Sequence, residues 1–128
     1  MTSDELLSAV RQRAELASRA EAERVTTAVL ATLGERLAGG EPGDLAAQLP
    51  PDLAAALASA GPGESFGPEE FDRRVATRSG TSSAVAHRYS AAVLTTVLEA
   101  VSAGERADVL AQLPDELAML VGDLGGTR

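Results

Sequence analysis

The sequence predicts an all-α protein: a compact helical bundle built from a tandem repeat of a four-helix unit, with two halves related by a pseudo-twofold axis. Two observations predict it. Residues 104–118, Gly-Glu-Arg-Ala-Asp-Val-Leu-Ala-Gln-Leu-Pro-Asp-Glu-Leu-Ala, have an earlier copy at 40–54 that shares the Gly-Glu start, the aspartate three residues on, and Ala-Gln-Leu-Pro followed by Leu-Ala. Apolar residues also recur every three or four positions between capping residues, which is the period of an amphipathic helix.

The first helix follows Ser3 and Asp4, both good N-cap types, and carries Leu6, Leu7, Val10 and Ala14 on one face. Ser18 with Glu21 reads as a capping box for the longest helix of the first half, whose stripe is Ala22, Val25, Val29, Leu33 and Leu37. Its wet face is Glu23, Arg24, Thr27 and Glu35, and Gly39-Gly40 stops it. Glu41-Pro42 opens a third helix, because proline fits a first turn and an acidic side chain there meets the positive end of the dipole. Pro50 ends it and Pro51 opens a fourth through Leu53 and Leu57, with Leu49 buried at the corner. Residues 61–67 are a glycine-rich connector that Phe66 pins to the core.

The second half repeats this order. Residues 68–78 turn Phe71 and Val75 inward, and Ser79-Gly80-Thr81-Ser82 makes a loop one residue shorter than its counterpart. Beyond it the copies align at a constant offset of 64, pairing Val25 with Tyr89, Val29 with Val93, Leu33 with Val97, Glu41 with Glu105, Leu49 with Leu113 and Pro50 with Pro114. The domain reading is a single all-α domain over 1–122, with repeat 1 at about 3–60, a linker at 61–67, repeat 2 at about 68–122, and a flexible tail at 123–128.

Composition bounds the function. A net charge of −8 disfavours binding that rests on counterion release from a phosphate backbone, so nucleic acid is not an expected partner. No cysteine means no disulfide, thiol nucleophile or thiolate metal site. The start, Met-Thr-Ser-Asp-Glu, lacks the basic and apolar regions of a signal peptide, and no stretch has the roughly 18 apolar residues of a membrane span, so a cytoplasmic location is expected. Lysine, isoleucine and asparagine are absent, a bias that reads as GC-rich coding and a bacterial source.

Candidate chemistry is sparse. Glu41 with Asp44, and Glu105 with Asp108, put two carboxylates on one face of a first turn, but each segment lacks the six or more oxygens of a calcium or magnesium site. They read as dipole-stabilising residues, and no metal ligand is assigned. His87, the one histidine, reads as solvated. Gln48 and Gln112, each just before Leu-Pro, read as caps for carbonyls freed by the proline. Ser90, Thr95 and Thr96 lack a nearby base, and three aromatic residues leave a flavin or haem without walls, so no catalytic residue or cofactor is assigned. Arg73, Arg74, Arg78 and Arg88 form the one basic concentration and the candidate partner-binding face; Glu70, four residues before Arg74, pairs with it, giving a largely solvated surface.

Residues 65–76, Ser-Phe-Gly-Pro-Glu-Glu-Phe-Asp-Arg-Arg-Val-Ala, followed by Gly104-Glu105 through Leu113-Pro114, resemble the bacterial DUF2267 family. In that family an xEEFlxRVA helix leads to a GExxDvxaQLPxxL ending, usually behind a diverged first copy. The resemblance implies an all-helical fold and no activity. One departure is that residues 54–60 replace aromatic residues associated with the end of the family's first repeat. The expected function is a non-catalytic cytoplasmic interaction or regulatory module, monomeric or homodimeric, with an acidic protein partner. The alternative is a binder of small apolar ligands in a cleft between the halves, lined by Tyr89, Val93 and Phe66.

Overall fold

The computed structural model describes residues 1–38, 41–57 and 63–125, the last four by backbone alone. The stop at Gly39-Gly40, the end of the alanine run (58–60), the start of the connector (61–62) and residues 126–128 lie outside the described residues. The fold is all-α and 75% helical, with no strand among the described residues. Its helices are α1 (Ser3–Arg13), α2 (Arg19–Arg36), α3 (Glu41–Ala46), α4 (Pro51–Ala54), α5 (Pro68–Ser79), α6 (Ser83–Glu99), α7 (Ala103–Gln112) and α8 (Asp115–Gly125). The segment read as a tail from residue 123 therefore begins inside α8.

Helix starts follow side-chain chemistry. The cap of α1 is Thr2, not Ser3 or Asp4: Thr2 Oγ1 accepts from the Glu5 N–H and the Glu5 carboxylate accepts from the Thr2 N–H. Only a cap at Thr2 places a glutamate three residues on, which closes the reciprocal box. Ser18 caps α2 as expected, but Glu21 does not reach back to the Ser18 N–H; its carboxylate takes the Ala17 N–H at 3.1 Å. Ser82 and Ser102 cap α6 and α7.

The loops after α1 and α5 turn through the left-handed region at Glu15 (φ 56°) and Gly80 (φ 72°). In each, the next residue's N–H reaches five residues back: Leu16 to the Arg11 carbonyl at 2.9 Å and Thr81 to that of Ala76 at 3.0 Å. Glycine adopts that geometry without a Cβ clash, whereas glutamate is strained in it.

α2 and α6 are the central helices. α2 packs on α1, α4, α5 and α6, while α6 packs on α1, α2, α5 and α8. The stripe Ala22, Val25, Val29, Leu33 and Leu37 is buried, as are Ala86, Val93, Val97 and Val101, although Tyr89 is only half-buried. Thr26, Leu30, Thr32, Ser90, Leu94 and Thr96 are fully buried as well. One stripe per helix is thus an underestimate, because neighbours enclose α2 and α6 on more than one side. Side chains from the whole chain form one core cluster, in which each fully buried leucine or valine contributes roughly 1.5–3 kcal/mol. Leu49 and Leu113 fill the two proline corners, each 6% exposed.

The connector is strapped along the end of α2. The Glu64 N–H donates to the Glu35 carbonyl at 2.9 Å, and Arg36 Nε donates to the Phe66 carbonyl at 3.1 Å. Phe66 is half-buried against the core, its ring 6.3 Å from that of Phe71. Gly63 is required here: a Cβ would fall 2.7 Å from that of Ala38.

Candidate functional site

The basic face comes from α5 and α6, and the structure divides its four arginines. Arg78 forms a fork with Glu35 (Nη1–Oε1 2.9 Å, Nη2–Oε2 2.6 Å) and donates to Thr32 Oγ1 at 2.7 Å. Arg74 reaches Glu70, Glu35 and Glu64 at 2.8–3.0 Å and lies over the Phe66 ring, 4.1 Å from its centroid. Arg78 first, then Arg74, holds the Glu35 carboxyl below the usual glutamate range. Arg73 pairs with Glu70 and stays 73% exposed. Arg88 is exposed and, with Arg24, makes no ion pair among the described residues. The solvated surface expected from the sequence thus describes Arg73 and Arg88 but not Arg74, whose charge is spent on ordering the connector. A groove of about 240 Å³ runs over this face, lined by Glu70, Arg73, Arg74, Thr77 and Arg78. A second, of about 410 Å³, lies along α2 beside Arg24 and Arg78.

Between α1 and α6, Arg13 grips Glu99 (2.7 and 3.2 Å) and donates to Thr96 Oγ1 at 2.9 Å. Thr32 and Thr96 in turn donate to the carbonyls of Ala28 and Ala92. These hydroxyls are structural. Ser90 is fully buried and its hydroxyl has no partner among the described residues. His87 is not simply solvated: its Nδ1 lies 2.9 Å from Asp72 Oδ2, joining α6 to α5.

Gln48 and Gln112 do not cap the carbonyls before the prolines. Their side-chain oxygens accept backbone N–H groups from far along the chain: Gln48 from Ser102, and Gln112 from Ala38, both at 2.8 Å. An amide carries donor and acceptor together, and here the acceptor is used on the N–H groups at the entry to the facing helix.

This exchange exposes a second site. α3 packs against α7, bringing Glu41 and Glu105 together although each is more than nine-tenths buried. Glu105 stands three residues after its cap, Ser102, where a glutamate would normally accept the cap N–H. Gln48 already holds that N–H, so the Glu105 carboxylate is released and turns to Glu41. Carboxylate oxygens of Glu41, Glu105 and Asp108 lie within 4.8 Å of one another, and Oε2 of both glutamates is sealed from solvent without a hydrogen-bond partner among the described residues. Burial first, then the hydrogen bond and charge of Glu105, with Asp108 and Asp44 adding, push the Glu41 carboxyl up to about 7.

Counting oxygens segment by segment did not bring these carboxylates together, since they come from two segments far apart in the chain. The signal was present in the sequence: Glu41 and Glu105 occupy the same place in the two similar stretches 40–54 and 104–118. The family model described as "Uncharacterized conserved protein (DUF2267)" matches residues 3–120. No curated protein matches the chain.

Proposed function

This chain belongs to the DUF2267 family, and we propose that it works as a non-catalytic interaction or regulatory module, docking an acidic protein partner on the α5 face. The observation that carries this reading is the groove that gathers three arginines, Arg73, Arg74 and Arg78, on one face. Arg74 and Arg78 are pre-ordered by Glu35, so they would lose little side-chain freedom on binding. Arg73 and Arg88 supply exposed charge, which attracts an acidic partner more strongly at low ionic strength. The ligand-cleft alternative has less support: the grooves described above are not lined by Tyr89, Val93 or Phe66, and Val93 is fully buried in the shared core.

The proposed architecture is the tandem repeat with a pseudo-twofold axis, forming one domain. Its support lies in bonds that exchange between the copies. Gln48–Ser102 corresponds to Gln112–Ala38, and Arg78 with Glu35 and Thr32 corresponds to Arg13 with Glu99 and Thr96. Glu41 meets its own counterpart. Among the described residues no helix is long and apolar enough to cross a membrane. A bacterial cytoplasmic location and a monomeric or homodimeric state complete the proposal.

Arg73→Glu combined with Arg88→Glu tests it, since both side chains are exposed and each change should alter stability by about 0–1 kcal/mol. In pull-downs from the native host at low ionic strength, partners retained by the wild type should be lost by the double variant. Recovery of the same partners by both would remove this face from consideration.

A further inference from the structure

We propose that Glu41, Glu105 and Asp108 form a binding site for a divalent cation of the calcium type, held between α3 and α7. This goes beyond the partner-docking reading and does not depend on it. Three observations support the site. Its three carboxylates present oxygens that all lie within 4.8 Å of one another, close enough for one cation to contact all three. Magnesium demands near-ideal octahedral geometry and gives up its water reluctantly, which suits a packed set of three carboxylates less than calcium does.

Glu41 and Glu105 are 7% and 6% exposed, and each keeps Oε2 enclosed with no partner among the described residues. A buried carboxylate oxygen without a donor is costly to maintain, and a cation satisfies both at once. No protein cation does so: among the described residues neither glutamate nor Asp108 or Asp44 is in an ion pair with an arginine, and Arg106 directs its Nε to the Leu98 carbonyl at 2.9 Å.

The usual competing role for these residues is also removed. A glutamate in a first turn is normally occupied by the N–H of its own cap, but Gln48 holds the N–H of Ser102, the cap of Glu105's helix, while Gln112 holds that of Ala38, three residues before Glu41. The crossed glutamines thus free the carboxylates of both copies to converge. The donors are all oxygen, which selects hard cations over zinc or copper. Exposed Asp108 gives the site an opening to water, and water would complete the six to eight ligands that calcium takes. A cation here would offset the repulsion between the carboxylates where α3 packs against α7 and would tie the first half of the chain to the second.

The test uses the full chain, dialysed against a chelator and titrated with calcium chloride, and separately magnesium chloride, by calorimetry at about pH 8, where the ligands are mostly deprotonated. The expected result is one calcium per chain, with magnesium bound at least about tenfold more weakly. Glu105→Gln and Asp108→Asn should each raise the calcium Kd by about tenfold or more, because affinity follows the charge count of the ligands. Circular dichroism establishes that both variants are helical, and both keep side-chain size. The melting temperature of the wild type should rise with calcium, and that of Glu105→Gln should not. Absence of calcium heat and of any melting shift up to about 5 mM would overturn the site, as would equal binding by both variants. A wild type stabilised by acid but indifferent to calcium would mean that a shared proton holds the pair together, which also overturns it.

Discussion

Replacing Glu41 by glutamine should stabilise this protein above neutral pH and flatten its stability between about pH 5 and 8 in chelator-treated buffer. The reasoning starts from the raised carboxyl of Glu41, at about 7 in the fold against 4.5 for the free side chain. Between those two values the folded chain holds a proton that the unfolded chain has released. Stability from this group is therefore complete below about pH 4.5 and is lost as pH rises through about 7. A gap of about two and a half pKa units at 1.36 kcal/mol each gives a loss on the order of 3 kcal/mol by about pH 8. Glu35 works in the opposite direction in a lower window: its depressed carboxyl contributes stability above the unfolded value that is lost in acid. Stability should thus peak near about pH 5. Glutamine keeps the shape of Glu41, carries no charge and offers an N–H to Glu105, so the variant should gain about 2–3 kcal/mol at about pH 8 relative to wild type. Urea unfolding of both proteins across the pH range measures the difference and isolates Glu41 from the other carboxylates. A variant less stable than wild type at high pH, or a difference independent of pH, would refute the account of the pair.

Three further outcomes follow from particular contacts. Leu113→Ala should destabilise by about 2–5 kcal/mol, through lost transfer energy and the cavity left at the proline corner, and a melting point unchanged by it would show the corner is not core. Glu15→Gly should be neutral or stabilising by roughly 0.5–1 kcal/mol, because Glu15 holds a left-handed φ that Gly80 adopts freely, whereas a clear loss would mean the Glu15 side chain matters more than its backbone strain. Gln48→Ala and Gln112→Ala should each cost about 0.5–1.5 kcal/mol by denaturant unfolding, since each removes one hydrogen bond to an N–H that water can reach; losses below that range would show that the crossed amides are incidental.

Much of the fold was legible because it rests on local and periodic rules. Leu6, Val29, Phe71 and Val97 were placed in the core by spacing, Ser18 at the start of α2 by cap chemistry, and the α3–α4 and α7–α8 corners by proline. The misread positions share a different cause: their partners lie on other elements of the chain. Gln48 and Gln112 were assigned carbonyls a few residues away, yet they reach 54 and 74 residues along the chain. His87 looked solvated on its own helix and is held by Asp72 of the preceding one. Arg74 was paired correctly with Glu70, four residues before it, and the bonds to Glu35 and Glu64 that order the connector were not visible at helical spacing. The carboxyl cluster is the clearest instance, because two rules that hold separately combine to reverse the conclusion. A glutamate in a first turn does favour a helix, and a glutamine near a proline does seek a backbone partner. Once each glutamine takes the N–H at the entry to the facing helix, the glutamate that would have used it is left to find charge compensation elsewhere. The local reading fails here because it lets each residue choose a partner from its own repeat, while the fold gives the first choice to the residue opposite.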